Sequence, residues 1–282
     1  MCNIKNLCGI VTYNPEMERL YENISAIYLQ VDQVIIVDNG SKNIDNIKDM
    51  VKKFNKDILI IELNSNYGIA TALKKIMDYA DKNEYKWVLT LDQDSVCNED
   101  IIKHYMKYIY IHNIGMLTCN IIDRNFKENN NIVEIDEIIE IPMCITSAAF
   151  VNVDAYNHTA GYDEKMFIDW VDFDICIQLR NAGYKIMKVN YDGLLHEVGN
   201  GKNVKIFGKQ YIAYNHSSFR QYYMARNHFY VAKKYPNIIS LKNEIKKEIR
   251  FWIIIILFER NKVSKLLARC RGMMDVRKLF KN

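Results

Sequence analysis

Two carboxylates follow an apolar run in the first third of the chain and have the spacing of a cation site. Asp92 and Asp94 come directly after residues 87–91, whose sequence Trp-Val-Leu-Thr-Leu has the composition of a buried strand. Carboxylate oxygens suit Mg²⁺ or Mn²⁺, and Mg²⁺ sites commonly combine one or two carboxylates with substrate phosphates. A cation held here would neutralise a diphosphate as it leaves. An isolated Asp-x-Asp also forms turns and helix caps, so the surrounding elements decide between the interpretations.

The first half of the chain alternates between strand-like and helix-like segments. Strands are predicted at 7–13, 33–37, 58–63 and 87–91, and helices at 17–29, 44–54 and 69–79. Further on, the pattern predicts a strand at 145–153, a helix at 171–181, a strand at 184–189 and helices from 214 onward. This order predicts an α/β fold with a Rossmann-like, mostly parallel, doubly wound sheet flanked by helices.

Polar side chains follow each of the first four predicted strands. They are Thr12 and Asn14, Asp38 and Asn39, Asn64 and Asn66, and Asp92 and Asp94. In doubly wound sheets, ligands bind outside the carboxyl ends of the strands. These side chains are therefore predicted to line one binding edge.

The C-terminal part of the chain differs from the rest in charge. Residues 241–282 contain 12 Lys or Arg and 4 Asp or Glu, a net charge of +8, whereas the first 240 residues carry −4. The apolar run at 251–258 is far shorter than the roughly 20 residues that span a bilayer. A basic segment around an apolar run predicts docking on an anionic membrane surface, with Lys262, Lys265 and Arg269 among the lipid-facing charges. The alternative is an amphipathic helix packed on its own domain, and the segment has no base-reading motif for nucleic acid.

Length and cysteine usage limit the remaining possibilities. A chain of 282 residues fits one domain or one and a half, and a soft boundary is predicted near 205, after a loop at 199–202. The seven cysteines form no CxxC pair and indicate reduced thiols in a cytoplasmic protein.

Six motifs, in order, resemble those of the inverting glycosyltransferases of family 2. They are 10–14 (IVTYN), 37–41 (VDNGS), 64–68 (NSNYG), 92–94 (DQD), 167–174 (FIDWVDFD) and the single His196. The resemblance covers nearly the whole chain and implies a GT-A fold with a C-terminal helical extension. The strings LDQDS at 91–95, FIDWVDFD, RQYYMARN at 220–227 and RGMMD at 271–275 are most similar to bacterial rhamnosyltransferases that use dTDP-L-rhamnose.

The resemblance also implies roles for individual residues. The metal ligands would be Asp94, Asp92 and His196. The nucleotide-sugar contacts would be Thr12, Asn14, Asp38, Asn39, Asn66, Gly68, Asp92 and Arg226. The catalytic carboxylates would be Asp172, Asp174 and Asp169, one of which removes the proton of the acceptor hydroxyl. Asp172 is the preferred base with Asp174 in support, but Val171 stands where many relatives carry Glu, so all three stay candidates.

The predicted function is metal-dependent, inverting transfer of L-rhamnose from dTDP-L-rhamnose to a cell-surface polysaccharide or lipid-linked acceptor. Residues 1–205 would form the nucleotide-sugar-binding catalytic domain, and 206–282 a helical region that contacts acceptor and membrane at the inner face of the cell membrane. The first alternative is a family 2 enzyme that uses a UDP-hexose. More distant alternatives are a non-catalytic scaffold and a nucleotidyltransferase, although residues 11–15 lack the latter's glycine-rich basic loop.

Overall fold

The computed structural model of the protein describes residues 4–123, 138–196, 202–206 and 208–280. The strands are β1 Asn6–Thr12, β2 Gln33–Asp38, β3 Ile58–Glu62, β4 Trp87–Asp92, β5 Val96–Cys97, β6 Ile114–Asp123, β7 Ile138–Glu140, β8 Ala149–Asn152, β9 Lys185–His196, β10 Lys202–Ile206 and β11 Lys209–Ala213. The α-helices are α1 Met17–Ile27, α2 Ile44–Val51, α3 Ile69–Lys82, α4 Ile101–Met106, α5 Val153–Asn157, α6 Val171–Asn181, α7 Ser218–Lys234, α8 Leu241–Phe258 and α9 Lys262–Asp275. Short 3₁₀ helices lie at Glu164–Met166 and Val276–Phe280.

The main sheet is mixed and mostly parallel in its first half. Its strands run in the order β3-β2-β1-β4-β8-β6-β9-β5, and β7 pairs with β9. The strands β1 to β4 pair in parallel, as predicted, whereas β8 runs antiparallel to both β4 and β6. The parallel strands are nearly continuous apolar runs because helices cover both faces of such a sheet.

The register of the parallel strands brings their carboxyl ends together. Thr12 at the end of β1 pairs with Asp38 at the end of β2. Asp92 at the end of β4 pairs with Val11, the neighbour of Thr12. Three of the predicted site residues therefore lie at one edge of the sheet, in adjacent strands.

The chain divides into two compact units. Unit 1 comprises Met1–Glu164 and Val171–Glu197, and unit 2 comprises Lys165–Trp170 and Val198–Asn282. In unit 2, α7 and α9 pack closely at Gly272, where an added Cβ would lie 2.3 Å from the carbonyl oxygen of Tyr222. The short segment 165–170 belongs to unit 2 although it directly precedes α6 of unit 1 in the sequence.

Buried ion pairs join the helices of unit 2. Arg269 is completely buried and binds both carboxylate oxygens of Glu248, with Nε 2.7 Å from Oε1. Lys265 is 3% exposed and its Nζ lies 2.8 Å from Oε2 of Glu259. The prediction that Lys265 and Arg269 face lipid is therefore wrong, because both cations neutralise buried carboxylates.

Several elements differ from the sequence-based expectations. In place of the strand predicted at 145–153, the structure has the shorter strand β8. Strand β6 and the β10–β11 hairpin were not predicted. Lys202, expected in a loop, begins β10, and residues 199–201 of that loop lie outside the described ranges. In the part of the chain that the structure describes, no helix has the length and apolar character needed to span a membrane.

Candidate active site

Asp38 organises the turn after β2. Its Oδ1 accepts a hydrogen bond from the Thr12 hydroxyl at 2.9 Å, and its Oδ2 accepts from the backbone N–H groups of Gly40 and Ser41 at 3.1 and 2.8 Å. The carboxylate is nearly completely buried. Gly40 has a φ of 81°, and a Cβ there would lie 2.8 Å from the backbone of Ser65, so this turn requires glycine. Asp38 thus holds this turn, while its predicted contact with the nucleotide-sugar stays a prediction.

Asparagine side chains join the loops that follow β1, β2 and β3. The Oδ1 atom of Asn14 accepts from the N–H of Lys42 at 2.8 Å. Asn39 donates through Nδ2 to Oδ1 of Asn66 at 3.0 Å, and that same oxygen accepts from the N–H of Gly68 at 2.9 Å. Gly68 has a φ of 89° at the start of α3. These four predicted contacts therefore lie in one hydrogen-bonded group of loops at the sheet edge.

Buried polar side chains fix the backbone that carries the Asp-x-Asp pair. The N–H of Asp92 donates to Oγ of Ser147 at 3.3 Å, and the carbonyl of Asp92 accepts from Nδ2 of Asn23 at 2.6 Å. Between the two aspartates, Gln93 accepts from the N–H of Tyr13 through Oε1 at 2.8 Å. Asp92 and Asp94 are themselves half-buried. The strand end is thus fixed while both carboxylates keep some access to solvent.

Segment 144–147 connects this strand end to α6. Ser147 contacts Asp92, as above, and the carbonyl of Cys144 accepts from the thiol of Cys176 on α6 at 3.7 Å. Cys176 lies one helical turn after Asp172. The first turns of α6 and the end of β4 are therefore linked through one short segment of unit 1.

The two aspartates of α6 have different surroundings. Asp174 is completely buried, and its Oδ2 accepts from Nε2 of Gln178 at 2.7 Å. Gln178 also binds Gly161 and Ala160, so this part of the helix is tied to the preceding loop. Asp172 is half-buried, and its Oδ1 accepts from the N–H of Phe173 at 3.1 Å. Of the two, Asp172 is the one with access to solvent.

Asp169 and Arg226 lie in unit 2. Asp169 pairs with Arg220, whose Nη2 is 3.1 Å from Oδ1. Nearby, burial and then the charge of Arg220 lower the pKa of His216. Arg226 is 8% exposed, and its Nη2 donates to the carbonyls of Lys165 and Met166 at 2.6 and 2.9 Å. A contact between Arg226 and the donor stays a prediction.

The predicted set of three metal ligands is only partly covered by the structure. His196 is the last residue of β9, and its side chain lies outside the described part of the molecule. Among the side chains that are described, no three His, Cys, Asp or Glu residues gather into a metal-binding group. Asp92 and Asp94 thus remain the described carboxylates proposed for this role.

Sequence reasoning missed the residues that support the site. Ser147, Gln93, Asn23 and Gln178 act through contacts with residues that are mostly distant in sequence. Ser147 lies inside the strand predicted at 145–153, and Gln93 is the middle residue of the Asp-x-Asp string. A separation of 55 residues between Ser147 and Asp92 leaves no local pattern to detect.

Comparison with known sequences defines the class of this protein. The profile of the family described as "Glycosyl transferase family 2" matches residues 8–170, which is more than half of the chain. The chain belongs to this family and is a glycosyltransferase, as its motifs predicted.

Two curated relatives differ in how much of the chain they match. The dTDP-rhamnosyl transferase RfbF of Shigella flexneri is 27% identical over 94% of this chain and 93% of its own length. The poly-beta-1,6-N-acetyl-D-glucosamine synthase of Staphylococcus aureus is 29% identical, but over only 42% of this chain and 30% of its own. The resemblance to the first relative therefore extends through nearly the whole chain, including most of unit 2.

Solved structures support the fold. GalNAc-T7, solved with UDP, GalNAc and Mn²⁺, matches 82% of this chain with a TM-score of 0.60 and 12% identity. S. aureus TarS matches 99% with a TM-score of 0.57 and 13% identity. The chain spans about half of each of these proteins, 48% and 49% respectively. The predicted GT-A fold, with a mixed, mostly parallel sheet and C-terminal helices, is confirmed.

Proposed function

We propose that this chain transfers L-rhamnose from dTDP-L-rhamnose, with inversion at the anomeric carbon, to a lipid-linked or growing cell-surface polysaccharide. The observation that carries this proposal is the match to a dTDP-rhamnosyl transferase over 94% of the chain. That match extends beyond the donor-binding half, which many family members share. Residues 1–205 would bind the donor, and 206–282 would contact the acceptor and the membrane.

The donor nucleotide would bind at the carboxyl ends of β1, β2 and β3. The Asp38 carboxylate is buried and already accepts three hydrogen bonds, so Asp38 would shape the thymine site through the turn that it holds, beside Thr12 and Asn14. The interlinked loops of Asn39, Asn66 and Gly68 would fix the shape of this pocket before the donor arrives. A site held in shape by its own hydrogen bonds loses less entropy on binding.

The residues at the end of β4 fit a divalent cation. Asp92 and Asp94 offer hard carboxylate oxygens, which match Mg²⁺ and Mn²⁺, and His196 would complete the set as neutral imidazole. Such a cation, when bound, supplies positive charge next to the departing diphosphate. A solved structural relative was crystallised with UDP and Mn²⁺, which favours a divalent cation here as well.

Asp172 is the proposed general base. It keeps solvent access at the start of α6, whereas Asp174 is buried against Gln178 and Asp169 is paired with Arg220. A base must reach the acceptor hydroxyl within hydrogen-bond distance, which a buried, already hydrogen-bonded carboxylate does poorly. Asp174 would then support the helix that presents Asp172.

The alternative within the same chemistry is a UDP-hexose donor. Structures of TarS residues 1–349 with UDP and with UDP-GlcNAc resemble this chain, with TM-scores of 0.54 and 0.52. Thymine differs from uracil by one methyl group, which is worth only about 1–3 kcal/mol in an apolar pocket. Membership of the family argues against the nucleotidyltransferase and the non-catalytic scaffold.

Docking on an anionic membrane is proposed for α8. Leu241, Ile245, Ile249 and Ile256 share one helix face and are 42%, 45%, 57% and 45% exposed. Along one edge of this face lie the exposed Lys242, Lys246 and Arg250. Beyond its other edge lie Glu244 and Glu248, which are buried. An exposed apolar face bordered by cations fits a headgroup interface at the inner face of the cell membrane.

Donor binding tests the proposal directly. Thermal unfolding would be measured with dTDP-L-rhamnose, dTDP, UDP-glucose and UDP-GlcNAc, each with Mn²⁺, Mg²⁺ or a chelator. We expect the largest stabilisation with dTDP-L-rhamnose and a cation, because only the folded state binds the donor. Greater stabilisation by a UDP-sugar would favour the alternative donor.

A further inference from the structure

The segment 165–170, just before α6, has an unusual backbone. Phe167, Asp169 and Trp170 have φ values of 64°, 64° and 71°, so three of four consecutive non-glycine residues are left-handed. Side chains disfavour this conformation, and it persists only where neighbouring groups hold it. Something in unit 2 must therefore stabilise this segment.

Two consecutive residues of α7 make the contacts that do so. Asn227 is completely buried, and its Nδ2 lies 2.8, 2.7 and 2.9 Å from the carbonyl oxygens of Met166, Ile168 and Asp169. Arg226 donates through Nη2 to the carbonyls of Lys165 and Met166. Together these two side chains satisfy four of the six carbonyls in the segment.

Arg226 also sets the orientation of the Asn227 amide. Its Nε donates to Oδ1 of Asn227 at 3.0 Å, which leaves the amide NH₂ group facing the segment. The Tyr223 ring contacts both the segment and Arg226: the Phe167 ring stacks on it with centroids 4.8 Å apart, and the Arg226 guanidinium lies 4.6 Å from its centroid. Arg226 and Asn227 therefore contact the segment as one hydrogen-bonded pair on α7.

We propose that Arg226 and Asn227 are positioning residues that hold segment 165–170 in its left-handed form. They thereby fix the Asp169 carboxylate and the chain that leads directly into α6 and Asp172. This inference rests on the proposed function in that the segment belongs to the acidic catalytic motif. In this account Arg226 acts through the segment and not by binding the donor diphosphate.

The most specific test is the variant Asn227→Asp. It keeps the size and shape of the side chain but replaces the NH₂ group, which donates to three carbonyl oxygens, with an oxygen that cannot donate. Asn237→Asp, at an exposed position in the loop between α7 and α8, adds the same charge and serves as the matched control. We expect kcat for sugar transfer to fall about 10²-fold or more, the cost of misplacing reacting groups by about 1 Å. The KM for the donor should change little, and amide hydrogen exchange in 166–170 should accelerate. The control should match the parent protein in all three.

Arg226→Lys provides a second test, for use also if Asn227→Asp fails to fold. Lysine keeps the charge but presents a single nitrogen, so it loses the Nε contact with Asn227. We expect lower kcat, unchanged donor KM and faster exchange in 166–170. A raised donor KM with unchanged kcat and exchange would instead make Arg226 a donor contact and overturn the proposal.

Hydrogen exchange separates this inference from the proposed function. If the parent protein turns over no dTDP-L-rhamnose, the proposed donor is wrong, but exchange in 166–170 still reports on the two side chains. Unaltered exchange in folded Asn227→Asp or Arg226→Lys would show that the pair does not hold the segment. Faster exchange with full kcat would show that the segment is held without consequence for catalysis, which also overturns the proposal.

Discussion

Asp172 and Asp174 lie in the same turn of α6, yet only Asp172 keeps contact with solvent. Replacing Asp172 with Asn removes the proposed base while keeping the size of the side chain. We expect sugar transfer by Asp172→Asn to slow by about 10² to 10⁴, the usual range for general base catalysis, with donor affinity nearly unchanged. Steady-state kinetics and donor titration would check this. Full activity in Asp172→Asn, with loss in Asp169→Asn or Asp174→Asn, would reassign the base.

Asp94 carries the second residue-scale prediction. If a cation at the end of β4 links the protein to the diphosphate, Asp94→Ala should abolish both transfer and the cation-dependent part of donor binding. Isothermal titration of donor with and without Mn²⁺ measures this second quantity. Asp100→Ala, an exposed aspartate a few residues further on, is the control. Turnover at the parent rate in Asp94→Ala would remove Asp94 from the site.

Individual residue roles were harder to predict than positions. The shared position of Thr12, Asp38 and Asp92 at one sheet edge was predictable, because parallel strands end at the same edge. It could not predict that Asp38 is buried beneath the turn it forms, nor that Asn227 binds three carbonyls of a segment some 60 residues away. Such contacts depend on tertiary packing and leave no periodic pattern in the sequence.

At the scale of elements, the buried pair of Arg269 and Glu248 joins α9 to α8. Removing one partner leaves a buried charge uncompensated, which typically costs about 3–5 kcal/mol. We therefore expect Arg269→Ala to lower the free energy of unfolding by about this amount in urea denaturation. Lys262→Ala, at an exposed position on α9, should change it by less than about 0.5 kcal/mol. Equal stability of the two variants would contradict the assigned role.

The outward face of α8 predicts how the protein binds vesicles. Ile245→Ser combined with Ile249→Ser should weaken flotation with anionic vesicles, because each buried isoleucine contributes about 1.5–3 kcal/mol. The paired change Val263→Ser and Leu267→Ser, at exposed positions of α9, is the control. Binding should also fall with salt, since Lys242, Lys246 and Arg250 border the face. Equal binding by both double variants would exclude α8. If the parent protein forms a concentration-dependent dimer that the α8 variant loses, a second copy of the chain covers this face instead of lipid.

Element prediction succeeded where the pattern was local. The strands β1 to β4 are apolar runs between turn-forming residues, and α6 was predicted with its observed bounds. β6 was missed because Gly115 and Asn120 interrupt its apolar pattern. The antiparallel direction of β8 was not predicted. It depends on pairing with β4 and β6, and no short stretch of sequence specifies that pairing.

For the whole molecule, the sequence motifs and the fold agree on a family 2 glycosyltransferase. The match through most of unit 2 to a dTDP-rhamnosyl transferase is what favours this donor over a UDP-hexose. Most of the C-terminal helices lie within this match, whereas the match to the family profile ends at residue 170. Two of the cations in these helices, Lys265 and Arg269, pair with buried carboxylates, so the proposed membrane contact would involve other residues.

The most direct test of this account is the release of nucleoside diphosphate from competing donors. The protein would be given dTDP-L-rhamnose, dTDP-glucose, UDP-glucose or UDP-GlcNAc, with Mn²⁺ and a lipid extract as acceptor source. We predict turnover of dTDP-L-rhamnose with a kcat/KM about 10- to 200-fold above that of the other donors, the range that small pocket differences provide. A chelator should abolish it. Preferential turnover of a UDP-sugar, or turnover that survives the chelator, would contradict the account.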